Sequence, residues 1–261
     1  MHPVVAKLIA NEYASQRSEE WLALRGKMLT ASDAATAIGC NPYETPDKLI
    51  LKKCGAVRFD GNAATEHGNK YENEARDIYC AKYNEVSHEI GLHPHPVYKW
   101  LGGSPDGITE SGKLLEIKCP MMRAIKDEVP VHYLPQLQLL MEILDLESCD
   151  FIQYKPDEIT WPNPPEFQVT HVVRDRQWFA EKLPIMDAFW KRVLWHREHG
   201  IADLEKPKRA PRAKKEKPLP SCIIQELDED QELSDEEVDI TVDPIVTTEP
   251  PITGVWDYAY L

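Results

Sequence analysis

Two periodicities alternate along residues 1–202. Ser18 can cap a helix that carries Trp21, Leu22 and Arg25, and Thr30 or Ser32 can start a second that runs through Ile38 and ends at Gly39. Helical spacing recurs at Asp47–Lys53 and Ala63–Lys82, near Pro135–Leu146, and over Asp175–His199. Strand-like runs fall at Glu85–Ile90, Val97–Gly102, Lys113–Lys118, Phe151–Tyr154 and Phe167–Val173. No internal repeat of roughly 20–50 residues overlies this order. The pattern predicts one α/β domain over residues 1–202, with a central mixed β-sheet flanked by helices.

Composition sharpens the picture at the C-terminal end. The chain has 261 residues, 42% of them hydrophobic, and a formal net charge of -14. Lys206 to Pro218 holds seven Lys or Arg against one Glu, and Leu219 to Leu261 holds twelve acids and no base. Residues 203–261 thus carry more than half of the negative excess and leave -6 for residues 1–202. Like-charge blocks and repeated prolines make that tail a poor core former, and it is expected to be disordered. Its closing Trp256, Tyr258, Tyr260 and Leu261 offer anchors for a partner, or are incidental to a solvated tail. No stretch approaches the roughly 18 apolar residues of a membrane helix, and the N-terminus lacks signal-peptide order, so a soluble cytoplasmic protein is expected. Six cysteines without a CxxC pair argue for reduced, mostly buried thiols rather than a zinc or disulfide framework.

The segment Gly102 to Pro120, GGSPDGITESGKLLEIKCP, carries the candidate chemistry. Read as a hairpin, it turns at Glu110-Ser111-Gly112, with glycine where a left-handed conformation is needed. Thr109 then faces Lys113, Ile108 faces Leu114, and Asp106 falls opposite Glu116. The period of two puts Lys118 on the face of Glu116 and sends Leu115 and Ile117 to the other, apolar face. Two carboxylates so close repel unless a positive charge lies between them. A hard divalent cation, magnesium or in its place manganese, suits an all-oxygen site better than zinc. With Lys118 beside it, such a site suits phosphodiester hydrolysis. Spacing alone leaves an ordinary solvent-facing hairpin equally open.

The strings WLALRGKMLTAS, HGNKYENEAR, SPDG with LEIKCP, and HYLPQLQ occur in that order between Arg17 and about Arg192. Together they resemble the PD-(D/E)XK nuclease superfamily, and within it the lambda exonuclease and YqaJ-type viral recombinase branch. The resemblance implies a three-layer, restriction-endonuclease-like fold. It implies that Asp106, Glu116, Glu72 and the carbonyl of Ile117 bind two magnesium ions, with Lys118 as catalytic lysine. Tyr133 and Gln136 would act beside the scissile phosphate, and Pro135 between them predicts a late helix start or a kink. Arg25, Ser32 and Ser104 would hold a terminal 5′-phosphate; Trp21 reads as packing.

By the same resemblance, the chain would be a magnesium-dependent 5′-to-3′ exonuclease on linear double-stranded DNA. It would leave 3′ overhangs for homologous recombination, as a homotrimeric ring around DNA ends. A single-strand annealing protein is the partner expected at the tail. The setting would be a host cell cytoplasm, or a nucleus in a eukaryotic host. A structure- or site-specific endonuclease and a catalytically silent DNA-end-binding module remain the alternatives. His93 and His95, and His196 with His199, match no metal-site spacing and read as solvent-facing or structural. Met121 and Met122 read as gap-filling core.

Overall fold

The computed structural model of the chain describes residues 1–11, 16, 18–57 and 61–204. The expectations for the tail, including Cys222 and the terminal aromatics, lie outside the described residues.

Side-chain acceptors open most of the helices. His2 Nδ1 accepts from Val4 N–H at the head of α1 (Pro3–Ala10), a helix beyond the predicted set that buries Val5. Ser18 Oγ accepts from Trp21 N–H at 3.1 Å to cap α2 (Glu19–Gly26), as the pattern predicts. After β1 (Leu29–Thr30), the next predicted helix divides into a 3-10 turn, Ala31–Asp33, and α3 (Ala34–Ala37). Thr30 gives its hydroxyl to the Asp33 carboxylate at 2.6 Å rather than capping the backbone, and Gly39 follows at φ +79°. Then come α4 (Pro46–Lys53) and the long α5 (Ala63–Tyr83), which Asn62 caps and Asn84 ends in a left-handed conformation.

The predicted sheet is in fact two. The larger one orders β2 (Ser87–His88), β5 (Gly107–Thr109), β6 (Lys113–Lys118), β7 (Ser148–Lys155) and β8 (Glu166–Val173), with β6 and β7 parallel and the other neighbours antiparallel. The smaller one sets β4 (Leu101–Gly103) between β1 and β3 (His93–Pro94). Gly102 and Gly103 therefore leave the hairpin. Pro105, which has no N–H to donate, lies in the break between the sheets. The predicted run from Val97 starts late as well, because His95 Nδ1 accepts from the N–H groups of Val97 and Tyr98 and folds them into a turn.

The hairpin register is the predicted one. Ile108 pairs with Leu114 and Gly107 with Leu115, and Gly112 has φ +97°. One face of the sheet lies against α5, where Leu115, Ile117, Ile152 and Tyr154 pack with Tyr71, Ala75 and Tyr79. The other packs Leu114, Cys149 and Phe151 with α6 (Leu134–Leu144) and α8 (Arg176–His199). The result is the expected three layers, with a short α7 (Asp157–Thr160) joining β7 to β8. None of the described helices is long and apolar enough to cross a membrane.

Burial corrects two readings and decides a third between its alternatives. Of the five described cysteines, all free, only Cys119 and Cys149 are buried. Met122 is 91% exposed rather than core, since the chain after β6 runs over the surface. His93, His95 and His196 are buried, and their Nδ1 atoms bond to backbone groups, so they are structural rather than solvent-facing. Exposed His199 stacks on Trp195.

Gly103 lets β4 approach α6. A Cβ there would lie 2.6 Å from a methyl of the buried Leu140 and 3.3 Å from Ala31 Cβ. Gly103→Ala is expected to destabilise the domain by about 1–3 kcal/mol through overpacking, read as a lower midpoint in thermal unfolding. An unchanged midpoint would show that Leu140 yields at no cost.

Candidate active site

Asp106 lies one residue beyond the paired part of β5, so it meets β6 through its side chain rather than as a ladder partner. Its Oδ2 accepts the Ile117 N–H at 2.7 Å. Glu116, on the neighbouring position of β6, is fully buried. Its Oε1 accepts from the Lys118 ammonium and from Gln136 Nε2, the latter at 2.5 Å. Its Oε2 is buried and meets no hydrogen-bond donor. A solvent-facing hairpin is therefore excluded: the carboxylate has been carried into the interior with one oxygen unsatisfied.

Burial, with Asp106 nearby, pushes the Glu116 carboxyl up to about 8 despite the Lys118 ammonium. Burial works against the Lys118 charge too, but Glu116 and Asp106 outweigh it and hold the ammonium above its ordinary value. Lys118 thus stays cationic. Its Nζ also lies 5.4 Å from the centre of the Tyr133 ring.

Tyr133 is the N-cap residue of α6, and Gln136 reaches Glu116 from its first turn. Pro135 sits in that same first turn, where its missing N–H has no partner to lose, so the helix neither starts late nor kinks there. Glu72 projects from α5 into a cleft of about 480 Å³ that Asp106, Ile117, Lys118 and Tyr133 also line. It pairs with Arg76 at 3.1 Å one helical turn on. The chain between β6 and α6 is tied down by Gln153, fully buried on β7. Gln153 accepts from Arg123 Nη1 at 2.7 Å and donates to the Lys126 carbonyl at 2.8 Å. Neither residue belongs to a motif.

Oxygen donors dominate this cleft, and burial raises the adjacent Cys119 thiol to about 12, which keeps it protonated and a poor ligand. Among the described residues, no three His, Cys, Asp or Glu side chains are gathered into a ready-made metal cage. The acids instead engage protein donors: Ile117 N–H, Lys118 with Gln136, and Arg76. The unmet Oε2 of Glu116 still fits a hard cation, because a buried carboxyl oxygen without a partner is costly to keep.

A second cluster forms where α2, the 3-10 turn and the loop at Ser104 meet. Arg25 Nη2 donates to Ser32 Oγ at 2.9 Å, and Trp21 Nε1 donates to Ser104 Oγ at 2.9 Å. The Arg25 guanidinium lies 4.4 Å over the Trp21 ring. Burial works against the Asp33 carboxylate, yet Lys53, at 2.8 Å, and Arg25 hold it below its ordinary value. Burial pulls the Arg25 guanidinium below its ordinary value, and Asp33 counters that pull. All three residues expected at a phosphate are brought together, and Trp21 joins them. Its spacing of four from Arg25 on one helix face was the available signal.

An α/β/α domain with two acids and a lysine at the edge of a tight hairpin has a nuclease-type fold. It superimposes on an alkaline exonuclease from Laribacter hongkongensis with a TM-score of 0.58 and 29% identity, covering 70% of this chain and 95% of that one. Residues 20–147 of the chain match the YqaJ-like viral recombinase domain. An uncharacterised protein of Acanthamoeba polyphaga mimivirus is 35% identical over 162 residues, which are 55% of this chain and 30% of that protein. A protein of African swine fever virus is 29% identical over 158 residues, 47% of this chain and 44% of that one. The matched regions thus span less than half of either viral relative.

Proposed function

We propose that the chain is a magnesium-dependent 5′-to-3′ exonuclease that digests one strand of linear double-stranded DNA and leaves 3′ overhangs. The observation that carries the reading is the buried Glu116 beside Asp106, with an oxygen no protein donor meets and the Lys118 amine on the same face. The likeness to an alkaline exonuclease, also crystallised in complex with dAMP, supports it.

Asp106, Glu116, Glu72 and the Ile117 carbonyl are the groups that would hold the cation. When bound, a hard divalent ion supplies an ionised water at neutral pH and offsets charge on the phosphoryl oxygens. Lys118, which donates to Glu116 Oε1, would stabilise the charge that builds on the scissile phosphate. Gln136 steadies the carboxylate from α6, and the Tyr133 ring keeps the ammonium in place.

Arg25, Ser32 and Ser104 would hold the terminal 5′-phosphate through a guanidinium fork and hydroxyl donors. Ser104 is two residues from Asp106, at most about 7 Å along the chain. A phosphate held there sets the next phosphodiester near the acids, so cleavage would release the terminal nucleotide and expose a new 5′-phosphate. Repetition from the 5′ end follows from that spacing.

Linear duplexes with and without a 5′-phosphate, and a covalently closed circle, tested with magnesium or chelator, check the reading. Digestion is expected for the phosphorylated linear duplex with magnesium. Cleavage of the circle would favour the endonuclease, and no magnesium-dependent cleavage of any substrate would favour a silent end-binding module. Arg25→Ala is expected to lower the preference for phosphorylated over hydroxyl ends by about ten-fold or more, since a charge-assisted bond is lost. An unchanged preference would remove the phosphate pocket.

A further inference from the structure

Trp21 stands between the two halves of the Arg25 cluster, and its bonds decide where the hydroxyl hydrogens there can point. An indole N–H is a donor only. In the 2.9 Å bond to Trp21, Ser104 Oγ must therefore accept, which leaves its own hydrogen for another acceptor. The ring face lies under the Arg25 guanidinium, its centre 4.4 Å from Cζ, and a contact through the face occupies none of the guanidinium N–H groups.

Ser32 is arranged the opposite way. Thr30 gives its hydroxyl hydrogen to Asp33 at 2.6 Å, so in the 3.2 Å contact between Thr30 and Ser32 the proton comes from Ser32. Ser32 meanwhile accepts from Arg25 at 2.9 Å. Of the two serines, Ser104 is the one whose hydrogen is already free for an incoming anion.

We propose that Trp21 is a positioning residue for recognition of the terminal phosphate: it holds Ser104 as a donor and Arg25 as a flat fork, and so sets the preference for phosphorylated ends. This rests on the reading of Arg25, Ser32 and Ser104 as the 5′-phosphate pocket. The ligand chemistry is a dianionic phosphate monoester, which a hydroxyl end lacks.

The test is steady-state digestion by the full chain, with magnesium, of matched linear duplexes ending in 5′-phosphate or 5′-hydroxyl. Trp21→Phe keeps a ring under Arg25 and removes the N–H. The ratio of kcat/KM for phosphate over hydroxyl ends is expected to fall about ten-fold, through KM for the phosphorylated duplex. In a Ser104→Ala background the same change should lower the ratio no further. Replacing Trp21 by benzothienylalanine, which keeps the shape of indole without its N–H, should give the same fall and guards against misfolding of the phenylalanine variant. A packing role would slow both ends together, and an unchanged ratio in these variants overturns the proposal. Arg25→Ala, run alongside, separates the failures. If that variant also keeps the ratio, the pocket itself is wrong; if it alone loses the ratio, only the assignment of Trp21 falls.

Discussion

Asp106→Ala is expected to abolish magnesium-dependent digestion of linear duplex, a loss of about 10³-fold or more, while the domain stays folded. The two effects separate because Asp106 has two roles. Structurally it accepts the Ile117 N–H at 2.7 Å, and losing such a bond costs about 1 kcal/mol. Its removal also takes a like charge away from Glu116, which offsets part of that cost. Chemically, the site loses one of the carboxylates proposed to bind the metal. Asp106→Asn sharpens the contrast, since an amide oxygen can still accept from Ile117 but carries no charge. Single-turnover digestion, with thermal unfolding in chelator, measures both. Digestion within a few-fold of the unaltered protein would remove Asp106 from the site.

Digestion at limiting magnesium is expected to rise about ten-fold per pH unit until pH approaches about 8, where the Glu116 carboxyl titrates, and to level off above. The sign follows from which form binds. A carboxylate raised by burial is neutral at lower pH, a proton competes with the cation for it, and only the ionised form is a ligand. More magnesium should therefore move the midpoint to lower pH. Lys118 stays charged throughout, so no fall from loss of its proton is expected in this range. Stability shows the same linkage in reverse. Because the folded value is raised above the unfolded one, the contribution of Glu116 is full below about pH 4 and lost as pH rises through about 8. Metal-free protein should thus melt lower at pH 9 than at pH 6, and magnesium should restore the difference by binding the folded state. A flat rate profile across this range would show that Glu116 is already ionised and that its burial does not govern the site.

Much of this site could be read along the chain because it is local. The register of the hairpin depends on one three-residue turn and a period of two, so the approach of Asp106 to Glu116, and Lys118 on the same face as Glu116, followed from spacing within a few residues. The caps at Ser18 and the glycine at 112 are likewise short-range chemistry. Helix α1 was not legible, since eight residues have too few apolar repeats to announce themselves and gain their stability from packing. The departure of Gly102 and Gly103 into a second sheet was not legible either, because it depends on β1 and β3, strands distant in the chain.

The order of residues by itself determined the turn, the alternation and the charge types that meet there, because each is set by covalent neighbours and backbone sterics. Only the tertiary structure decided that Glu116 is buried with an oxygen unmet, that Gln136 reaches it from another layer, and that Trp21, under Arg25, meets Ser104 across 83 positions of chain. Burial and hydrogen-bond roles depend on which distant surfaces close over a side chain. Spacing within one element carries no trace of that closure.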